Sequence, residues 1–348
     1  ARGRSFRPIN GAQAGESQMN PGQPTRVVID TDPGADDALA LLLALTSPEL
    51  EVVGVTTTCG NVPVGQATRN LFRIFSLVKT PPGLLIGQGA ARPLEEELVT
   101  ATQVHGTDGL GDLDRLPTEE GVPRYPQPRL PTTLSTAQEV WNECIRRHPS
   151  DLTLLMLGPL TNLALALRVN PGKVQKYQSV KVMGGANADP GKNAPAAEFN
   201  MFVDPHAAER VFKAGLPSTL IPLDVTTKAK VDRPTLTDWV NESRDSLSRF
   251  VLDLTGQVFS FAESIEGHGM FYFHDPLVVL AAIDSTLFTI EPMHVAVETG
   301  GRVARGVTIA DRRVLKPEHK ARANVRVAVD LDVSRVMSLL RSRLCPKS

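Results

Sequence analysis

The chain has 348 residues, and its 37 lysines and arginines nearly balance its 38 aspartates and glutamates. A net charge of −1 supplies no field that would draw in nucleic acid or an anionic membrane, and no apolar run approaches the ~18 residues of a membrane span. Hydrophobic residues at 41% and charged residues at 22% are ordinary for a soluble globular protein long enough to bury a sizeable core.

Residues 1–24 are rich in Gly, Pro, Gln, Asn and Arg and show no apolar period. They read as a disordered arm, and residues 25–345 as one domain. The three cysteines (Cys59, Cys144, Cys345) form no C-x-x-C pattern and demand no disulfide framework. They favour a reducing, cytoplasmic setting. Because the chain opens at Ala1 rather than Met, a secreted or periplasmic origin behind a cleaved leader stays open.

From Arg26, RVVIDT is a β-branched run entering a polar turn, the pattern of a buried strand. ADDALALLLAL follows with helical spacing. Next come the strand EVVGVTTT, the helix VGQATRNLFRIFSLV and the short strand LLIG. Gln88 to Pro131 is irregular and rich in Pro and Gly, and loops that long in compact domains are usually functional or mobile. Thr136 to Arg147 predicts a helix, DLTLLML a strand, LTNLALALRV a helix and VKVMGG a strand. DPHAAERVFKAG then predicts a helix, and STLIPLD a strand ending in Asp224. This alternation predicts an α/β fold: an open, mostly parallel, Rossmann-like sheet flanked by helices. Pro234 to about Phe261 reads as helical and runs into a Gly-rich aromatic loop. TIEPMHVAVET, RGVTIAD and NVRVAVDLD alternate like antiparallel strands and predict a small additional sheet before a last helix.

The densest chemical signal is Asp30-Thr31-Asp32-Pro33-Gly34-Ala35-Asp36-Asp37, with four carboxylates in eight residues where a buried strand gives way to a helix. That edge of an open α/β sheet is where ligands bind. Capping and the helix dipole account for one or two aspartates there, each by no more than about 1 kcal/mol. Four close carboxylates repel, and a hard cation with all-oxygen ligands, Ca²⁺ or Mg²⁺, offsets that repulsion. Pro33 and Gly34 make the tight turn that lets the carboxylates converge. Asn61 follows the second strand. Asn187, Asn193, Glu198 and Asn200 follow VKVMGG, and His274-Asp275-Pro276 opens the helical run PLVVLAAI. Taken singly these are turn and cap formers, and Asp275 before Pro276 makes a good N-cap. In a parallel sheet all these strand ends share one edge. The result is a pocket rich in carboxylates and amides and poor in Lys and Arg, suited to a neutral polyhydroxylated ligand beside a cation.

DTDPGADDA, AEFNMFVDP (Ala197 to Pro205) and the late HDP together resemble the inosine-uridine nucleoside hydrolase family. Shorter matches are Gly60-Asn61, HGTDGLG from His105, GPLTN from Gly158, and LDVT from Leu223. In the family's order they span about residues 26 to 340. The resemblance implies one Ca²⁺ per subunit held by Asp32, Asp37, Asp275 and the backbone carbonyl of Leu157, with Asp32 also the base for water. It implies that Asp36 and Asn61 hold ribose hydroxyls, that Glu198 and Asn200 lie around the 3′- and 5′-hydroxyls, and that His274 sits near the leaving base. His105, Asn187 and Asn193 are further substrate-binding candidates. One departure stands out: the order is Gly191-Lys192-Asn193, whereas family members often carry Asn directly after that Gly. The expected reaction is hydrolysis of a ribonucleoside to ribose and base, with a homodimer or homotetramer as the assembly.

The chemistry suits these residues. Glycosidic cleavage passes through an oxocarbenium-like centre while charge grows on the leaving base; Asp32 can take a proton from water, and His274 can supply one to the base. Competing readings are hydrolysis of a related N-ribosyl compound, a nucleoside- or sugar-binding protein without turnover, and a Mg²⁺-dependent phosphohydrolase of the haloacid-dehalogenase type. The last also opens with D-x-D after a strand, but it needs a basic phosphate clamp that is not evident here.

Overall fold

The computed structural model describes residues 23–116, 121–187, 196–243 and 245–347. The expected N-terminal arm, apart from Gln23 and Pro24, lies outside them, as do Lys192 and Asn193. Thirteen strands are present among the described residues: β1 (Thr25–Thr31), β2 (Leu50–Thr57), β3 (Leu85–Gln88), β4 (Ser135–Thr136), β5 (Thr153–Met156), β6 (Ser179–Met183), β7 (Ser218–Ile221), β8 (Lys230–Asp232), β9 (Met270–Tyr272), β10 (Phe288–Met293), β11 (Val295–Val297), β12 (Thr308–Ala310) and β13 (Val325–Leu331). Nine of them form one sheet in the order β10-β13-β7-β6-β5-β1-β2-β3-β4. Every pair in it is parallel except β10 with β13. The alternating strands and helices thus build the open, mostly parallel sheet that their order predicts, and the antiparallel pair β11·β12 is the small extra element near the C-terminus.

The sheet is covered on both faces because its strands are apolar on both. In β1, Val27 and Ile29 join one core cluster while Val28 joins the other, the period-2 alternation of a strand buried on two sides. The first cluster takes in helix α1 (Ala35–Thr46) and the helix His274–Ile283. The second includes the buried faces of the helices Ala137–Arg147, Thr161–Val169 and Pro205–Lys213. From β1 the chain order runs outward through β2 and β3, whereas β5, β6 and β7 lie on its other side. The sheet therefore reverses between β1 and β5, and a crevice opens beyond their carboxyl ends.

Three details depart from the sequence reading. NVRVAVDLD does not join a small separate sheet; as β13 it enters the main sheet parallel to β7. Its Val325 and Val327 pack into one core cluster and Ala328 and Leu331 into the other, which an edge hairpin cannot satisfy. STLIPLD ends as a strand at Ile221, and Asp224 lies in the helical turn Leu223–Thr226, because Pro222 has no N–H to extend the ladder. The stretch from Pro234 divides into the helices Arg233–Ser243 and Ser246–Phe261, followed by a π-helical turn, Ala262–Glu266. Beyond that turn β9 pairs with β8, which folds the aromatic segment back over the crevice.

Candidate active site

The acidic turn is assembled by hydrogen bonds that its own sequence supplies. Gly34 is the N-cap of α1, and its N–H donates to Asp37 Oδ2 at 3.0 Å. Asp37 Oδ1 accepts the Thr31 hydroxyl at 2.5 Å and the Asp32 N–H at 3.3 Å, and Oδ2 also accepts Asn61 Nδ2 at 3.0 Å. Four donors thus fix this buried carboxylate. Asp32 Oδ2 accepts the Asn61 N–H at 2.6 Å, while its Oδ1 is buried with no protein partner. Two glycines make room for it. A Cβ at Gly60 would stand 2.0 Å from Asp32 Oδ2, and one at Gly158 would stand 2.4 Å from Oδ1.

Asp275 arrives from the opposite element. It is not the N-cap that its place before Pro276 suggests: the helix starts at His274, with Phe273 as its cap, so Asp275 lies inside the first turn. Oxygens of Asp36, Asp37 and Asp275 come within 4.8 Å of one another, a group that could hold a metal ion. Burial raises the carboxyl pKa values of Asp32, Asp37 and Asp275, and the neighbouring carboxylates raise them further. Asp30, one turn of the pleat below, is pushed up to about 7 by burial, although the Thr56 hydroxyl and Asn162 Nδ2 both donate to its Oδ1.

Above the acidic turn lies a cavity of about 180 Å³ with two unlike ends. Asp36, Asn61, Leu157, Glu198, Asn200 and Asp275 line the polar end. Glu198 caps the helix Phe199–Val203 by accepting the N–H groups of Asn200 at 2.9 Å and Met201 at 3.2 Å, and it also accepts Gly185 N–H at 3.1 Å. Asn200 Nδ2 donates to the Leu157 carbonyl at 2.6 Å, which ties β5's exit to the AEFN element. Val258, Phe261, Ile265, Met270 and Tyr272 line the apolar end, with Glu266 at its rim. His274 joins the two ends: Nδ1 is 2.7 Å from the Thr226 hydroxyl, and its ring stacks on Tyr272 at 5.6 Å. His105 lines the cavity from the long loop, its Nδ1 accepting the Ala35 N–H at 3.1 Å.

The structure therefore gathers Asp32, Asp36, Asp37, Asn61, His105, Leu157, Glu198, Asn200, His274 and Asp275 around one crevice. Asn187 is placed elsewhere: it lines a neighbouring cavity of about 410 Å³, where its N–H donates to Asp224 at 2.8 Å. Asn193 lies outside the described residues. Of the aromatic residues in and beside this loop, Phe259 is core, Phe271 is buried but also lines the cavity, and Phe261 and Tyr272 are partly exposed on its wall. Sequence reasoning assigned no role to Thr226, although it stands in the LDVT match, and none to Asn162 of GPLTN, which bridges Asp30 and the Thr57 carbonyl.

The chain matches the profile of the inosine-uridine preferring nucleoside hydrolases over residues 27–338. It belongs to that family. The hydrolase is 35% identical over 319 residues to a pyrimidine-specific ribonucleoside hydrolase, RihA, of Salmonella paratyphi B, an alignment covering 91% of this chain and 97% of the relative. Among solved structures it superposes on a plant nucleoside hydrolase, the PpNRh1 enzyme, with a TM-score of 0.82 at 32% identity, covering 92% of this chain and 99% of the other. It also superposes on a purine-preferring ribonucleoside hydrolase from Gardnerella vaginalis with a TM-score of 0.80 at 29% identity, covering 92% and 98%. No helix among the described residues of the hydrolase is long and apolar enough to cross a membrane.

Proposed function

We propose that the hydrolase cleaves the N-glycosidic bond of ribonucleosides with a Ca²⁺-assisted water, one ion per subunit. The observation that carries this reading is the convergence of the Asp36, Asp37 and Asp275 carboxylates, with the buried, unpartnered Oδ1 of Asp32 on the same acidic turn. A buried anionic oxygen with no donor is costly, and so are three carboxylates within 4.8 Å of one another; a hard cation answers both. The donor set is all oxygen, as Ca²⁺ requires. Asp32, Asp37, Asp275 and the Leu157 carbonyl would hold the ion; the carboxylates that lie within 4.8 Å of one another are Asp36, Asp37 and Asp275, which makes Asp36 a further candidate ligand. The Leu157 carbonyl already accepts Asn200, but a carbonyl has two lone pairs. When bound, the ion supplies Lewis acidity and orientation to a water.

The remaining steps belong to the side chains. Asp32 accepts the water's proton at Oδ1. Asp36 and Asn61 hold ribose hydroxyls, the Asn61 amide being oriented by its bond to Asp37. Glu198 and Asn200 bind the far side of the ribose. Both are locked by backbone contacts before any ligand arrives, so little ordering is left for the transition state. The base lies against the apolar wall, and His274, oriented by Thr226, donates to it as the bond breaks. His105 lines the cavity and is a further substrate contact, and Asn193 is the candidate contact to the 5′-hydroxyl. Asn187 donates its backbone N–H to Asp224 and lines the neighbouring cavity, not this one. The assembly in this reading is a homodimer or homotetramer.

The test is a panel of nucleosides assayed for ribose release with Ca²⁺ present. Ribonucleosides should be cleaved far better than 5′-monophosphates, because the polar end is lined by carboxylates and, among the described residues, by no lysine or arginine. 2′-Deoxynucleosides should be poor, because Asp36 and Asn61 would lose a partner. Comparable kcat/KM for inosine and its 5′-monophosphate would overturn the reading.

A further inference from the structure

Helix α2 (Val64–Phe75) carries a polar residue that touches neither the cavity nor the acidic side chains, yet holds the turn that bears them. Asn70 is 1% exposed. Its single Nδ2 donates to two backbone carbonyls, Pro33 at 2.9 Å and Asp108 at 2.8 Å, and its Oδ1 accepts Gln66 Nε2 at 2.9 Å, which sets the amide's orientation.

The consequence lies in the Pro33–Gly34 peptide. Its oxygen is held by Asn70, and its N–H donates to Asp37 Oδ2 at 3.0 Å. Both ends of one rigid plane are therefore tied, and rotating it breaks the Asp37 contact. Asn70's second bond reaches the loop that carries His105, and His105 accepts the N–H of Ala35 on the far side of the same turn. One helical turn along α2, buried Arg73 donates to Asp108 at 3.2 Å and to Asp114, clamping that loop down. Space is tight: a Cβ at Gly109 would meet Asn70 Nδ2 at 2.9 Å.

We infer that Asn70 is a positioning residue, whose amide sets the Pro33–Gly34 peptide and through it the aim of Asp37 and the seat of His105. The inference rests on the cation-site reading above. Asn70→Ala removes both donors, and Asn70→Ser keeps one short donor in case the alanine variant does not fold. Leu340→Ala, a core truncation at a residue that does not line the crevice, serves as a destabilised control. Calorimetric Ca²⁺ titration of folded protein, below each variant's melting range, is paired with kcat at saturating Ca²⁺. Loss of a group that orients a metal ligand should weaken Ca²⁺ affinity by roughly 10–100-fold, and kcat should fall by at least about tenfold, while Leu340→Ala leaves both unchanged. Asn70 variants that bind Ca²⁺ and turn over like the parent would overturn the inference. A parent that binds no Ca²⁺ would instead overturn the cation-site reading on which it rests.

Discussion

At the scale of single residues, the crevice gives two adjacent residues different neighbours. His274 and Asp275 are adjacent yet engage opposite ends of the cavity. Thr226 and Tyr272 hold His274, whereas Asp275 faces Asp36 and Asp37. His274→Ala should slow natural nucleosides by roughly 10²–10⁴-fold, the span of general acid catalysis. It should slow an activated aryl riboside, whose leaving group needs no proton, much less. Asp275→Asn should slow both substrates and weaken Ca²⁺ binding. Equal losses on both substrates for His274→Ala would make it a positioning group. Asp30 offers a separate measurement. Its carboxyl is pushed up from 3.8 to about 7 by burial, so the folded protein keeps a proton that the unfolded chain releases. Relative to a neutral side chain, its contribution is harmless below pH ~4 and worsens as pH rises. Above pH ~7 it reaches a cost on the order of 4 kcal/mol. The unfolding free energy of Asp30→Asn should therefore gain on the parent between those values, and a pH-independent difference would refute the assignment.

At the scale of elements, strand-to-helix turns convert short motifs into rigid geometry. The cap of α1 gives the Asp37 carboxylate one of its four donors, the Gly34 N–H; Thr31, Asp32 and Asn61 supply the rest. The glycines that follow β2 and β5 are there for space: with a Cβ 2.0 Å from Asp32 Oδ2, Gly60→Ala must displace the Asp32 carboxylate, the proposed base. A shift near 1 Å at a catalytic group costs on the order of 10²-fold in rate, so kcat should drop by about that factor. Gly256, inside the helix Ser246–Phe261, has open space where its Cβ would be. Gly256→Ala should raise stability by about 0.5–1 kcal/mol and leave turnover unchanged. Thermal melts and steady-state rates of the two variants, measured side by side, check both outcomes.

At the scale of the whole molecule, the carboxylate cluster sits where elements from distant parts of the chain meet. Asp36 and Asp37 come from the first helix, Leu157 from the exit of β5, and Asp275 from a helix that packs against α1 from the C-terminal half. Ca²⁺ bound there, as proposed, would stabilise only the folded chain. At a hundredfold excess over its Kd the gain is about 2.7 kcal/mol, and calorimetric scans should show a Tm several degrees higher than in chelator. Asp275→Asn should abolish that difference. A Tm indifferent to Ca²⁺ in the parent would argue against a site built from these carboxylates.

Much was legible in the residues themselves, because the relevant signals are local. RVVIDT, the Pro33–Gly34 turn and the apolar run of α1 specify a buried strand, a tight reversal and a helix within about twenty residues. Four carboxylates in that span point to a cation without reference to anything distant. The order of strands and helices predicted the parallel sheet, and the shared edge predicted which motifs would meet. What periodicity could not carry was long-range partnership. The sequence of β13 shows alternation but not that it would lie inside the main sheet between β10 and β7, with side chains packed into both core clusters. Asn187 and Asn200 look alike as amides after a strand. Only the packing of Asp224 beside one and the Leu157 carbonyl beside the other decided which would face the crevice. Asn70 was one polar residue in an amphipathic helix, indistinguishable by composition from a solvated position. Its importance arises because tertiary packing buries it against two loops whose carbonyls have to be satisfied, and a buried carbonyl takes its donor from whatever side chain the fold brings there.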